Sequence, residues 1–149
     1  MLPKRIVVLE PTAIFDARST VVTQALLGLG DQVSVERIEP FAALEELAAA
    51  EKFIGKIEGA DLLVFLESIR YYRVLARMVA RTHPRLPVFL AGHVSTLSDE
   101  EYPPHVTLFA VTKDPLEPLA VFKGMLLFDA DVLRTKIVEV LGLSAMLKG

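Results

Sequence analysis

The stretch Ala60-Asp61-Leu62-Leu63-Val64-Phe65-Leu66-Glu67-Ser68 decides how this chain folds. Its apolar run, Leu62 to Leu66, is far too short for a membrane span and lacks the alternation of a half-wetted strand. It reads as a strand buried on both faces, and such a strand needs helices above and below it. The run ends on Glu67, so a carboxylate stands at the strand's C-terminal end, where open parallel sheets place their ligands.

The flanking segments supply the helices. Arg5 to Glu10, with Ile6-Val7-Val8-Leu9 at its centre, reads as a first buried strand broken by Pro11. Thr12 or Asp16 can cap a helix in which Ile14, Val21, Val22, Ala25, Leu26 and Leu29 recur at helical spacing, with Gly28 and Gly30 as the stop. Gln32 to Ile38 alternates as an edge strand does. Pro40 opens a second helix with Phe41, Leu44, Leu47 and Ala48 opposite Glu45, Glu46 and Glu51. After the central strand, Arg70 to Thr82 reads as a helix burying Val74, Leu75, Met78 and Val79, and it stops before Pro84. Leu86 to Ala91 is a fourth strand. Gly92 to His105 is a polar loop with at most one helical turn, and Val106 to Thr112 is a fifth strand. Two apolar segments close the chain, Leu116 to Leu127 and Asp129 to Leu141, the second a helix capped by Asp129.

This order implies one α/β domain over residues 1–149, a three-layer sandwich around a five-stranded parallel sheet with an extra C-terminal helix. The expected strand order is 2-1-3-4-5, because the first and third strands are the most apolar and belong at the centre.

Composition narrows the function. A chain of 149 residues with 52% apolar and 23% charged residues has enough core to fold. Its mean hydropathy of +0.44 is high, which implies either a dense core or an apolar surface used for association. Charges interrupt every apolar run, so no membrane span is expected. The net charge of −3 disfavours nucleic acid as partner. The absence of cysteine excludes disulfides, thiolate nucleophiles and thiolate zinc sites, and fits the reducing cytoplasm. Met1-Leu2-Pro3-Lys4-Arg5 runs directly into a strand, so no signal peptide is expected.

Recognisable chemistry is sparse. The turn Glu10-Pro11-Thr12-Ala13-Ile14-Phe15-Asp16 has no glycine to let backbone N–H groups approach a phosphate, so no nucleotide or flavin cofactor is expected there. There is no Gly-x-Ser-x-Gly elbow. His83, His93 and His105 are not at ligand spacing, and no metal is expected. His83 belongs at a helix end, while His93 and His105 flank one loop and could meet in space. The polar residues expected at strand ends are Glu10, Glu67, Ser95 or Thr96, and Lys113; with His93 they form a candidate ligand or switch pocket.

That pattern, with the element order, resembles the receiver domains of response regulators, over roughly residues 4–142. The resemblance implies a metal-site acid at Glu10, the phospho-acceptor position at Glu67 and the family's lysine at Lys113. The departures are a single acid before Pro11, Glu in place of Asp at 67, Asp114 between Lys113 and Pro115, and a nearly absent fourth helix. They imply a pseudo-receiver without aspartyl phosphorylation. The stretch Leu86-Pro87-Val88-Phe89-Leu90-Ala91 and the general layout are equally similar to the N-terminal wing domain of bacterial basic-amino-acid decarboxylases, which serves assembly. Both likenesses imply a non-catalytic domain working by protein–protein contact, as a homodimer through its C-terminal helices and apolar surface. The rival reading is a small enzyme or ligand-binding protein using the strand-end pocket.

Arg70, Arg73, Arg77 and Arg81 fall on one helix face beside Tyr71 and Tyr72. The row is either a solvated face or a docking stripe for an acidic partner, and the Glu-rich second helix is one candidate for that partner.

Overall fold

Every side chain of Leu62–Leu66 is buried in the computed structural model. The structure describes residues 2–9, 17–38, 55, 57–66, 70–112 and 118–143, without the side chains of 17, 70–72, 119 and 122. Its elements are β1 (Lys4–Leu9), α1 (Ala17–Leu27), a 3-10 turn (Gly30–Gln32), β2 (Val33–Ile38), β3 (Leu62–Leu66), α2 (Arg70–Thr82), β4 (Val88–Gly92), α3 (Val94–Leu97), β5 (Val106–Ala110), α4 (Pro118–Phe122), β6 (Leu126–Leu127) and α5 (Ala130–Leu141).

All strands are parallel, in the order β2-β1-β3-β4-β5-β6. The expected order holds, with one strand more than expected. Leu126-Leu127 closes the segment 116–127, expected as the first of two C-terminal helices. Among the described residues the helix there is only Pro118–Phe122, and Leu126-Leu127 becomes a strand by pairing with Phe109 and Ala110. The long polar loop contains the short helix α3. The second helix expected from Pro40 lies outside the described residues, as do the caps Thr12 and Asp16.

Alternate residues of the central strands feed two cores. Val7, Leu9, Leu63, Phe65, Val88 and Leu90 face α2, with Leu75, Ala76, Val79 and Ala80 packed on them. Ile6, Val8, Leu62, Val64, Leu66 and Phe89 face α1 and α5, covered by Val22, Ala25, Leu133 and Ile137. On this second side Phe109 packs against Phe89 at 5.0 Å and edge-on against Phe128 at 6.1 Å between ring centroids.

Three polar devices fix the layers. The Arg5 N–H donates to Asp61 Oδ2 and the Asp61 N–H donates to the Arg5 carbonyl, both at 2.8 Å, which sets the start of β3 against β1. Asp129 Oδ2 accepts from the N–H groups of Asp131 at 3.1 Å and Val132 at 3.2 Å, capping α5 as expected. Arg134 Nε donates to the Ala25 carbonyl at 3.0 Å and Nη2 to that of Gln24 at 2.8 Å, so α5 satisfies the open end of α1. Gly28 makes that reach possible, because a Cβ there would collide with the Arg134 guanidinium.

The buried face of α2 differs from the expected one. Leu75 and Val79 are buried as expected, but Ala76 and Ala80 join them, while Val74 and Met78 are 39% and 37% exposed. The helix is rotated so that its alanine edge lies on the sheet. Methyl side chains allow a close approach there that Val74 and Met78 would prevent.

Truncation tests this facing. Leu75→Ala should cost about 2–5 kcal/mol in denaturant unfolding, and Met78→Ala should stay within about 0.5 kcal/mol of the parent. Similar losses at both positions would contradict the rotation.

Candidate functional site

The strand C-termini, where the fold places ligands, are only partly described. Glu10, Glu67 and Lys113 lie outside the described residues. His93 and Ser95 follow β4 and are both exposed. The His93 carbonyl accepts from the N–H groups of Thr96 at 3.1 Å and Leu97 at 3.0 Å and from Thr96 Oγ1 at 2.9 Å, which starts α3. His93 is therefore the N-cap of α3, directly after β4, and its side chain takes no part in the cap.

The other histidines are elsewhere. In the β4–β5 register Val88 pairs with Val106 and Gly92 with Ala110. His93 and His105 thus stand at opposite ends of the sheet, roughly 20 Å apart at about 3.3 Å per residue. The idea that they meet is corrected by this register. His105 Nε2–H donates to the Ala80 carbonyl at 2.8 Å, and His83 Nδ1 lies 3.3 Å from that of Val79. Both rings thus sit on the terminal carbonyls of α2, the end of a helix that attracts donors. Among the described residues no group of three or more metal-ligating side chains gathers.

A cleft of about 390 Å³, lined by Asp61, His83, Arg85 and Pro87 among others, opens at the N-terminal ends of β3 and β4. Asp61 is committed to β1 there and His83 to α2. This is the end of a parallel sheet where ligands are not usually found.

The arginine row has an unexpected destination. Arg73 Nη1 donates to the Thr96 carbonyl at 3.0 Å. Arg77 Nη2 lies 3.3 Å from Glu100 Oε1, with the two side chains 23% and 17% exposed. Arg73 and Arg77 thus clasp the segment 94–100 to α2. Arg81 is exposed, and the side chain of Arg70 is outside the described residues. The clasp follows from the helix rotation: seating Ala76 and Ala80 on the sheet turns Arg73 and Arg77 toward the β4–β5 connection. Sequence spacing put the arginines on one face, but it could not find Glu100, a loop residue.

The clasp positions the segment more than it stabilises the fold. Arg77 Nε and Glu100 Oε2 are shielded from solvent without a hydrogen-bond partner among the described residues. Each such atom costs about 1–3 kcal/mol, comparable to what the pair returns.

No family model matches the chain, and no curated protein does. A crystal structure of a fragment of a candidate lipoprotein from Peptoclostridium difficile 630 is weakly similar. It has 15% sequence identity and a TM-score of 0.46, and the match covers 72% of this chain and 84% of that one. Among the described residues no helix is long and apolar enough to cross a membrane.

A double-mutant cycle measures the clasp. Arg77→Met alone should destabilise by about 1–3 kcal/mol because it strands Glu100, and adding Glu100→Leu should recover most of that loss. Additive losses would mean that the two side chains are not coupled.

Proposed function

We propose that this chain is a non-enzymatic, receiver-like domain that works by protein–protein contact, docking an acidic, partly apolar segment of a partner on the outer face of α2. The observation that carries this reading is the pair Val74 and Met78, one helical turn apart, turned to solvent beside the exposed Arg81. Apolar side chains at i and i+4 offer an anchor to a partner, and neighbouring cations select its charge. The clasp supports the same reading, since it holds the adjacent segment 94–100 and gives the face a fixed border. The strand order β2-β1-β3-β4-β5 agrees with the receiver likeness, to which β6 is an addition.

A dimer through the C-terminal helices would use their exposed and half-buried apolar residues, Val121 on α4 and Val132, Val138 and Val140 on α5. Leu133, Ile137 and Leu141 are buried in the core, and Asp131, Thr135 and Glu139 point outward.

A matched pair of labelled helical peptides tests the docking face, one alternating Leu with Glu and the other Leu with Lys. The acidic peptide should bind, and Arg81→Glu combined with Met78→Asp should weaken it at least tenfold, about 1.4 kcal/mol. Equal binding of both peptides, or no effect of the variant, would contradict the reading.

One observation favours the rival pocket reading: His93 and Ser95 are both exposed at the end of β4. Incubation with Mg²⁺ and acetyl phosphate separates the two. The proposed function requires an unchanged mass, and stable phosphorylation at a carboxylate would replace the pseudo-receiver with a phospho-switch.

A further inference from the structure

The two edges of the sheet are unequal. β6 is a two-residue strand, but β2 runs for six residues and pairs with β1 along its whole length without a bulge. In a three-layer sandwich even an edge strand is normally covered on at least one face. Here Ser34, Val35, Glu36 and Arg37 are exposed in succession, and among the described residues β2 lies at the edge of the sheet.

Edge strands usually carry protection against pairing with another chain, such as proline, a bulge, or charges projecting past the edge. Val33-Ser34-Val35-Glu36-Arg37-Ile38 has no proline, glycine or lysine. Its two charges are drawn back onto their own chain. Glu36 Oε1 accepts from Arg5 Nη2 at 2.9 Å, and Arg37 Nη2 donates to the Ser19 carbonyl at 3.3 Å. Val35, 38% exposed, immediately precedes them.

We propose that β2 pairs antiparallel with β2 of a second copy of this chain, about a two-fold axis through Val35, joining the two sheets into one. The register follows from the side chains. Pairing must keep each side chain on its own face of the sheet, which allows the axis to pass through a residue but not between two. An axis at Glu36 would set two carboxylates opposite one another, which is unfavourable. An axis at Val35 sets the two valines together, and puts Ser34 opposite the second copy's Glu36 and Val33 opposite the second copy's Arg37. The β1–β2 register puts Val35 beside Ile6, so the valine pair lies on the Ile6 side of the sheet, exposed beyond the α1-side core. This surface is separate from the α2 face and does not depend on the docking reading.

The chain has no cysteine, so a single introduced thiol reports the axis without background. In the proposed register the two Val35 Cα atoms are about 4.5–5.5 Å apart, within disulfide range, whereas the two Ser34 Cα atoms are about 8 Å apart and beyond it. Under mild oxidation Val35→Cys should form a covalent dimer much faster than Ser34→Cys or the exposed control Val121→Cys. Light scattering on the unaltered chain should show mass rising with concentration from 16.4 kDa toward twice that value. Crosslinking at Ser34 in preference to Val35 would overturn the register. A strict monomer to the solubility limit, or crosslinking at Val35 no faster than at Val121, would overturn the interface.

Discussion

The rest of this fold depends on burying both faces of Leu62–Leu66. Leu63 and Phe65 need cover on one side and Leu62, Val64 and Leu66 on the other, so neither helical layer is dispensable. At about 25 cal/mol per Å² of apolar surface removed from water, full burial of each such side chain favours folding by roughly 1.5–3 kcal/mol. Parallel neighbours on both sides satisfy the backbone of the strand, leaving its edges no contact with solvent.

Packing against that strand sets the surface chemistry. Because α2 must lie close to the sheet, its alanine edge takes the contact, and two consequences follow from one rotation. Arg73 and Arg77 swing onto Thr96 and Glu100, while Val74 and Met78 turn outward. The candidate docking face and the clasp that borders it thus share a single cause. A helix seated on its larger apolar residues would bury the anchor pair.

Much of this is legible in the sequence, for identifiable reasons. Apolar runs bounded by Pro11, Gly59 and Pro84 mark the inner strands and the helix before β4, and the contrast between Ile6-Val7-Val8-Leu9 and the alternating β2 orders the sheet. Asp129 declares its helix because a carboxylate at that position meets two free N–H groups. Other features are invisible locally. Leu126-Leu127 is a strand only through its partner, and hydrophobicity alone ranks Met78 above Ala80 although the sheet selects for size. Glu100 meets Arg77 across a loop whose path no periodicity describes. Of the candidate pocket, the structure places His93 and Ser95 at the end of β4. Glu10, Glu67 and Lys113 lie outside the described residues.

Native-state hydrogen exchange tests the central claim most directly, namely that Leu62–Leu66 is an interior strand shielded by two helical layers. The account predicts that the amides of Leu63, Val64 and Phe65 exchange only through global unfolding, with protection matching the full stability of the domain. Exchange of those amides through local opening, at rates like those of an exposed edge or loop, would contradict it.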